Sequence, residues 1–125
     1  MISSDEVRVV VVDDLEDAAT TLAYALERDG YATRIARDGI DALAVIDDFK
    51  PHCVLFDIDM PRLDGFELCK QVRASHGDDI VLVAVTAYAA DDARVIGAFT
   101  VADHYLRKPI SPRALRALLP PLLSS

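Results

Sequence analysis

The chain is poor in the residues that staple or anchor proteins. Its 125 residues include two cysteines, three histidines, five glycines and no tryptophan. Cys53 and Cys69 lie inside periodic apolar stretches, without CxxC spacing or histidine companions. That argues against a disulfide framework or a zinc site and reads as two reduced packing residues. His52, His76 and His104 show no metal-ligand spacing. No apolar run approaches the roughly 18 residues that cross a bilayer, and the start, MISSDEV, has neither a basic region nor an apolar signal segment, so a cytoplasmic location is expected. Positive charge is also scarce: 13 Lys and Arg face 21 Asp and Glu, a net charge of −8. Such a balance disfavours direct contact with nucleic acid or anionic membrane and favours a cation or a partner with a basic face. Nor is there a Ser/Gly/Pro-rich linker, a low-complexity tract or a repeat. One domain over residues 1–125 is expected, with its core at about 6–119 and no output domain.

What is present is alternation. VRVVVV, residues 7–12, is apolar on both faces, as a strand must be when helices cover both sides of a parallel sheet, and it stops at Asp13-Asp14. Helical spacing follows, with Leu15, Ala19, Leu22 and Leu26 on one side and Gly30 as the stop. YATRIA, residues 31–36, alternates like an edge strand. Asp38 is placed to cap GIDALAVIDDF, whose apolar stripe reads as Ile40, Leu43 and Ile46 or Val45, before Pro51. The cycle recurs with HCVLFD (52–57), a turn-rich IDMPRLDG, and a helix from near Gly65 in which Leu63, Phe66 and Val72 read as core contacts. IVLVAV (80–85) ends at Thr86, and a helix is expected from about Ala90 to Phe99. HYLRK (104–108) is stopped by Pro109, and a last helix opens at Ser111-Pro112. Five strands alternating with five helices through short connections imply an α/β, doubly wound (βα)5 domain with a parallel sheet. The three most apolar strands belong at the centre, which fits the order 2-1-3-4-5.

In such sheets ligands bind at the carboxyl ends of the strands, where strand order reverses. The residues delivered there are Asp13, Asp14, Asp57, Thr86 and Lys108. Carboxylates converging in one crevice repel unless a cation joins them. Hard oxygen donors suit Mg2+, which keeps waters and accepts a phosphate alongside one or two carboxylates. Nucleophile, metal ligands, hydroxyl and lysine together make up the kit for phosphoryl transfer to a carboxylate.

VVVVDD, VLFDIDMPRLDG, VAVTA and YLRKP, in this order and at these separations, resemble the successive motifs of the response-regulator receiver domain over essentially the whole chain. The resemblance implies the flavodoxin-like, CheY-like fold and a phosphoacceptor function in two-component phosphorelay signalling. It makes Asp57 the phosphoacceptor, Asp14 a direct ligand of Mg2+ (or Mn2+) and Asp13 a supporting acid acting largely through water. It gives Asp59 a backbone-carbonyl contact to the metal and pairs Lys108 with the phosphoryl oxygens. Thr86 becomes the hydroxyl that moves toward the phosphate, and Tyr105 the aromatic that turns inward. The implied donor is a phosphohistidine on a sensor kinase or phosphotransfer protein. The implied readout is the surface of the fourth helix, fifth strand and fifth helix, used by an effector or linked output, in a monomer or a phosphorylation-dependent dimer. The domain would be a switch, catalysing only its own phosphorylation and dephosphorylation.

Some residues depart from the family pattern. Residues 99–103, FTVAD, lack the small pair usual before the last strand. Gly97, Val95 and Ile96 weaken the preceding helix, which is expected to be short, frayed or shifted. Asp59 and Tyr88 occupy positions that flank the attacking water in the family, with Tyr88 expected to screen the acyl phosphate, and the Lys108-Pro109 bond is cis in the family. The best enzyme alternative is a haloacid-dehalogenase-type phosphatase, since Asp57-Ile58-Asp59 resembles its DxD opening. Pro61 and Arg62 do not fit the residues that follow that opening, and the chain is short for it. A flavodoxin-type FMN binder would need a hydroxyl- and glycine-rich loop where DDLED stands.

Overall fold

The computed structural model describes residues 7–57, 65–77, 79–86, 102–107, 110 and 112–118. Among them the elements run β1 (Arg8–Val12), α1 (Glu16–Arg28), β2 (Ala32–Ala36), α2 (Gly39–Phe49), β3 (Cys53–Asp57), α3 (Gly65–His76), β4 (Val81–Thr86), β5 (His104–Arg107) and a C-terminal helix, Pro112–Leu118. The five strands form one sheet in the order β2-β1-β3-β4-β5, with every pair parallel. The helix expected at 90–99, Leu63 and the Lys108-Pro109 bond lie outside the described residues. No described helix is long and apolar enough to cross a membrane.

The two-residue period of a strand explains why the central strands are apolar throughout. Val10, Val12, Val54, Phe56, Leu82 and Ala84 face one way, into a cluster shared with Ala42 and Ile46 of α2 and Leu68, Cys69 and Val72 of α3. Val9, Val11, Cys53, Leu55, Val83 and Val85 face the other way, against Ala19 and Leu26 of α1 and Leu115 of the C-terminal helix. Both cysteines are free and buried. Burial pushes both thiols up, Cys69 to about 12, so they serve as packing and not as nucleophiles at neutral pH.

Two details of the helical stripes differ from the periodic reading. Leu15 is the residue before α1 and is 59% exposed, while Ile40 is 49% exposed. In α2 the inward positions are Gly39, Ala42 and Ile46. Small residues there let the helix lie close on the sheet, and a pattern weighted by side-chain size passes over them.

The ends of α1 and α2 are well specified. At the end of α1 the Gly30 N–H donates to the Glu27 carbonyl and the Tyr31 N–H to the Leu26 carbonyl, with Gly30 at φ 104°. This is a Schellman closure, made easy by glycine, and it leaves Leu26 and Tyr31 buried together. At the start of α2 the Asp38 carboxylate accepts the Asp41 N–H at 2.8 Å.

The amino edge of the sheet is tied by side chains. His52 N–H donates to the Arg8 carbonyl at 2.8 Å, and Arg8 N–H donates to His52 Nδ1 at 3.0 Å. The Arg8 side chain donates to the Phe49 and Lys50 carbonyls, where Lys50 takes the left-handed φ of 52°. At the other side of this edge, Asp103 accepts from Leu82 N–H at 2.7 Å and from Arg73 Nη2 at 2.6 Å, while its own N–H donates to the Leu82 carbonyl. Arg73 also donates to the Gly77 and Ile80 carbonyls.

Candidate functional site

Strand pairing assembles the site. Val12 lies opposite Phe56, and Asp57 opposite Val85. The residues that end β1 and β3 therefore emerge side by side at the carboxyl edge, where the order turns from β1 toward β2 on one side and β3 on the other. Carboxylate oxygens of Asp13, Asp14 and Asp57 all lie within 4.8 Å of one another. Asp13 is 7% exposed, Asp57 half-buried and Asp14 exposed, so the cluster opens outward through Asp14.

The turn from β1 into α1 fixes Asp13. Its N–H still donates to the Ala36 carbonyl of β2 at 3.1 Å, which carries the ladder one residue past the strand. Its Oδ1 then accepts the Leu15 N–H at 3.0 Å. This Asx-type bond bends the chain into the helix and holds the carboxylate in place. Leu15 provides no side-chain cap, and its carbonyl accepts the Ala19 N–H at 3.0 Å. The sequence pattern names Asp13 for the cation and not for this second use; an aspartate two residues before an apolar N-cap is the signal that carries it.

Thr86 closes β4 opposite Arg107. Tyr105 lies on β5 opposite Ala84, half-buried against the cluster that contains Phe56 and Ala84. Asp59, Tyr88 and Lys108 lie outside the described residues. A cavity of about 750 Å³ continues from Asp13 and Asp57 between α1, at Ala18 and Leu22, and the sheet, at Leu55 and Val85.

The sequence reading also passed over a cation at this edge. Arg37 follows Ala36, the residue of β2 opposite Val12. Its Nη2 donates to Glu16 Oε1, in the first turn of α1, at 3.2 Å, and its N–H donates to Asp41 at 3.3 Å.

This architecture matches known proteins closely. The family model of the response regulator receiver domain fits residues 9–120. The response regulator MprA of Mycobacterium sp. (strain KMS) is 40% identical over 117 residues, covering 94% of this chain and 50% of that one. MprA of Mycobacterium tuberculosis (strain ATCC 25177 / H37Ra) is 39% identical with the same coverage. The chain thus spans about half the length of the curated relatives it matches. Among solved structures, a CheY-like receiver domain protein from Methanospirillum hungatei JF-1 superposes with a TM-score of 0.80 at 30% identity, covering 88% of this chain and 87% of that one. A response regulator from Burkholderia pseudomallei, determined with a phosphorylated aspartic acid, calcium ion and citrate, superposes with a TM-score of 0.82 at 31% identity, covering 92% of this chain and 67% of that one. The match favours this family over the haloacid-dehalogenase reading. With its sheet order, its acid-lined carboxyl edge and the family fit from residue 9 to 120, the chain belongs to the response regulator receiver domain family.

Proposed function

We propose that this receiver takes a phosphoryl group from a phosphohistidine of a sensor kinase or phosphotransfer protein onto Asp57, and so acts as a switch for an output that is either linked or separate. The observation that carries this reading is the meeting of Asp13, Asp14 and Asp57 within 4.8 Å at the reversal of strand order. Support comes also from the similar Burkholderia protein, which holds a phosphorylated aspartic acid and a calcium ion.

An Asp57 carboxylate oxygen attacks phosphorus, the phosphorus–nitrogen bond to the donor imidazole breaks, and the imidazole leaves with the bonding pair. The donor set is all hard oxygen, and three carboxylates this close repel one another without a counter-ion, which fits Mg2+ or Mn2+. Asp14 and Asp57 would hold the ion directly, with Asp13 in support and the Asp59 carbonyl completing the protein ligands. When bound, the ion supplies charge neutralisation for the transferring phosphoryl group. The Leu15 N–H holds the Asp13 carboxylate at the cluster. Lys108 pairs with the phosphoryl oxygens, and Thr86 donates its hydroxyl to them. Tyr105 then turns inward, and the surface around β5 is remodelled as one of two packings is favoured.

Intact mass after treatment with acetyl phosphate and Mg2+ tests the reading. Wild type should gain one phosphoryl group, and Asp57→Asn should gain none. An adduct that persists in Asp57→Asn, or none in wild type, overturns it.

A further inference from the structure

The site just described is acidic on every side that the described residues supply around α1 and α2, and its substrate is an anion. Residues 13–27 contain no basic side chain, and residues 36–49 contain one, Arg37. Arg37 stands at the carboxyl end of β2, next to the residue whose carbonyl accepts the Asp13 N–H. Its guanidinium reaches across the end of β1 to Glu16, three residues beyond Asp13, and both side chains of the pair are 69% exposed. Among the described residues, that is the one side-chain bond Arg37 makes, so most of its five N–H donors face solvent.

From this placement we infer that Arg37 captures the phosphoryl group of the incoming donor and delivers it past the acid rim to Asp57. The inference rests on the reading of Asp57 as phosphoacceptor. An exposed ion pair with Glu16 is weak and can be exchanged, while guanidinium binds phosphate oxygens in a bidentate fork. Glu16 serves as the resting partner that keeps Arg37 extended over the first turn of α1, and a phosphoryl group displaces it. Arg37 therefore acts on donor binding, and the chemical step stays with the carboxylates and the cation.

With acetyl phosphate, an Asp57 oxygen attacks phosphorus, the phosphorus–oxygen bond to the acetyl group breaks and acetate leaves. The test follows the rate of this phosphorylation in excess Mg2+ against acetyl phosphate concentration, at low and high salt. Arg37→Gln should raise the half-saturating concentration about fivefold at low salt, with the maximal rate unchanged and the difference shrinking at high salt. Arg37→Lys should recover part of the loss. Glu16→Gln, which breaks the same ion pair but keeps the cation, should lower the half-saturating concentration. If Arg37→Gln matches wild type, or if Glu16→Gln mimics Arg37→Gln, the pair is merely a structural tie and the inference falls. If wild type takes no phosphoryl group, it is the reading of Asp57 that fails.

Discussion

His52 shows how one side chain can make stability depend on pH. Its Nδ1 accepts the Arg8 N–H, which only an unprotonated ring nitrogen can do. Burial, and then the Arg8 charge, lower its pKa below the ordinary 6.5. The unfolded chain therefore binds a proton at higher pH than the folded one. Stability rises with pH between the lowered folded value and about 6.5, and this contribution is complete above that window. As pH falls through the folded value it is lost. Urea midpoints measured from pH 7.5 to 5 should decline below about 6.5 in wild type. In His52→Asn, whose amide oxygen accepts the same bond without titrating, that part of the decline should be gone.

Among the elements, the helix ends are worth more than their exposure suggests. Asp38 is 9% exposed, accepts the Asp41 N–H and fixes where α2 begins. Asp38→Ala should cost about 1 kcal/mol in urea unfolding, with the cooperativity of the transition unchanged. This cap was legible in the sequence because an aspartate preceded a helical pattern. The strand assignments were legible for a similar reason: a run such as VRVVVV has few alternatives to a strand covered on both faces. The edge strands followed from their mixed polarity, with β2 indeed at one edge and β5 at the other. The inward face of α2 was less legible, since Gly39 and Ala42 carry little hydrophobic signal and are buried by position, while Ile40, which carries much, points outward. Within the site, the carboxylates were legible as strand ends. The Asp13–Leu15 bond is local and carries a signal in the aspartate two residues before an apolar N-cap, whereas the Arg37–Glu16 pair was not legible, because it depends on how the end of β2 comes to lie beside the start of α1.

At the scale of the whole molecule, the negative charge is unevenly placed. Asp13, Asp14, Glu16, Asp17 and Asp57 gather at the carboxyl edge with Arg37 beside them, whereas Arg8, Lys50 and the Arg73–Asp103 pair mark the amino edge. Folding thus brings Asp57 against an acidic segment from which the unfolded chain keeps it apart, and a cation that binds only the folded form should stabilise it by mass action. Mg2+ at a hundred times its dissociation constant should add about 2.7 kcal/mol, seen as a rise in the thermal midpoint. Asp14→Asn should abolish most of that rise while raising the midpoint of the metal-free protein, since one repelling charge is removed. A midpoint of wild type that ignores Mg2+ would count against the cation site.

The contact between Asp103 and Leu82 has a consequence for the path of the chain. Asp103 grips Leu82 with its backbone N–H and its carboxylate together, and Arg73 holds that carboxylate from α3. The berth of β5 beside β4 is therefore set locally, at its point of arrival. This two-point grip thus fixes the register in which β5 arrives, and with it the place of Tyr105 opposite Ala84.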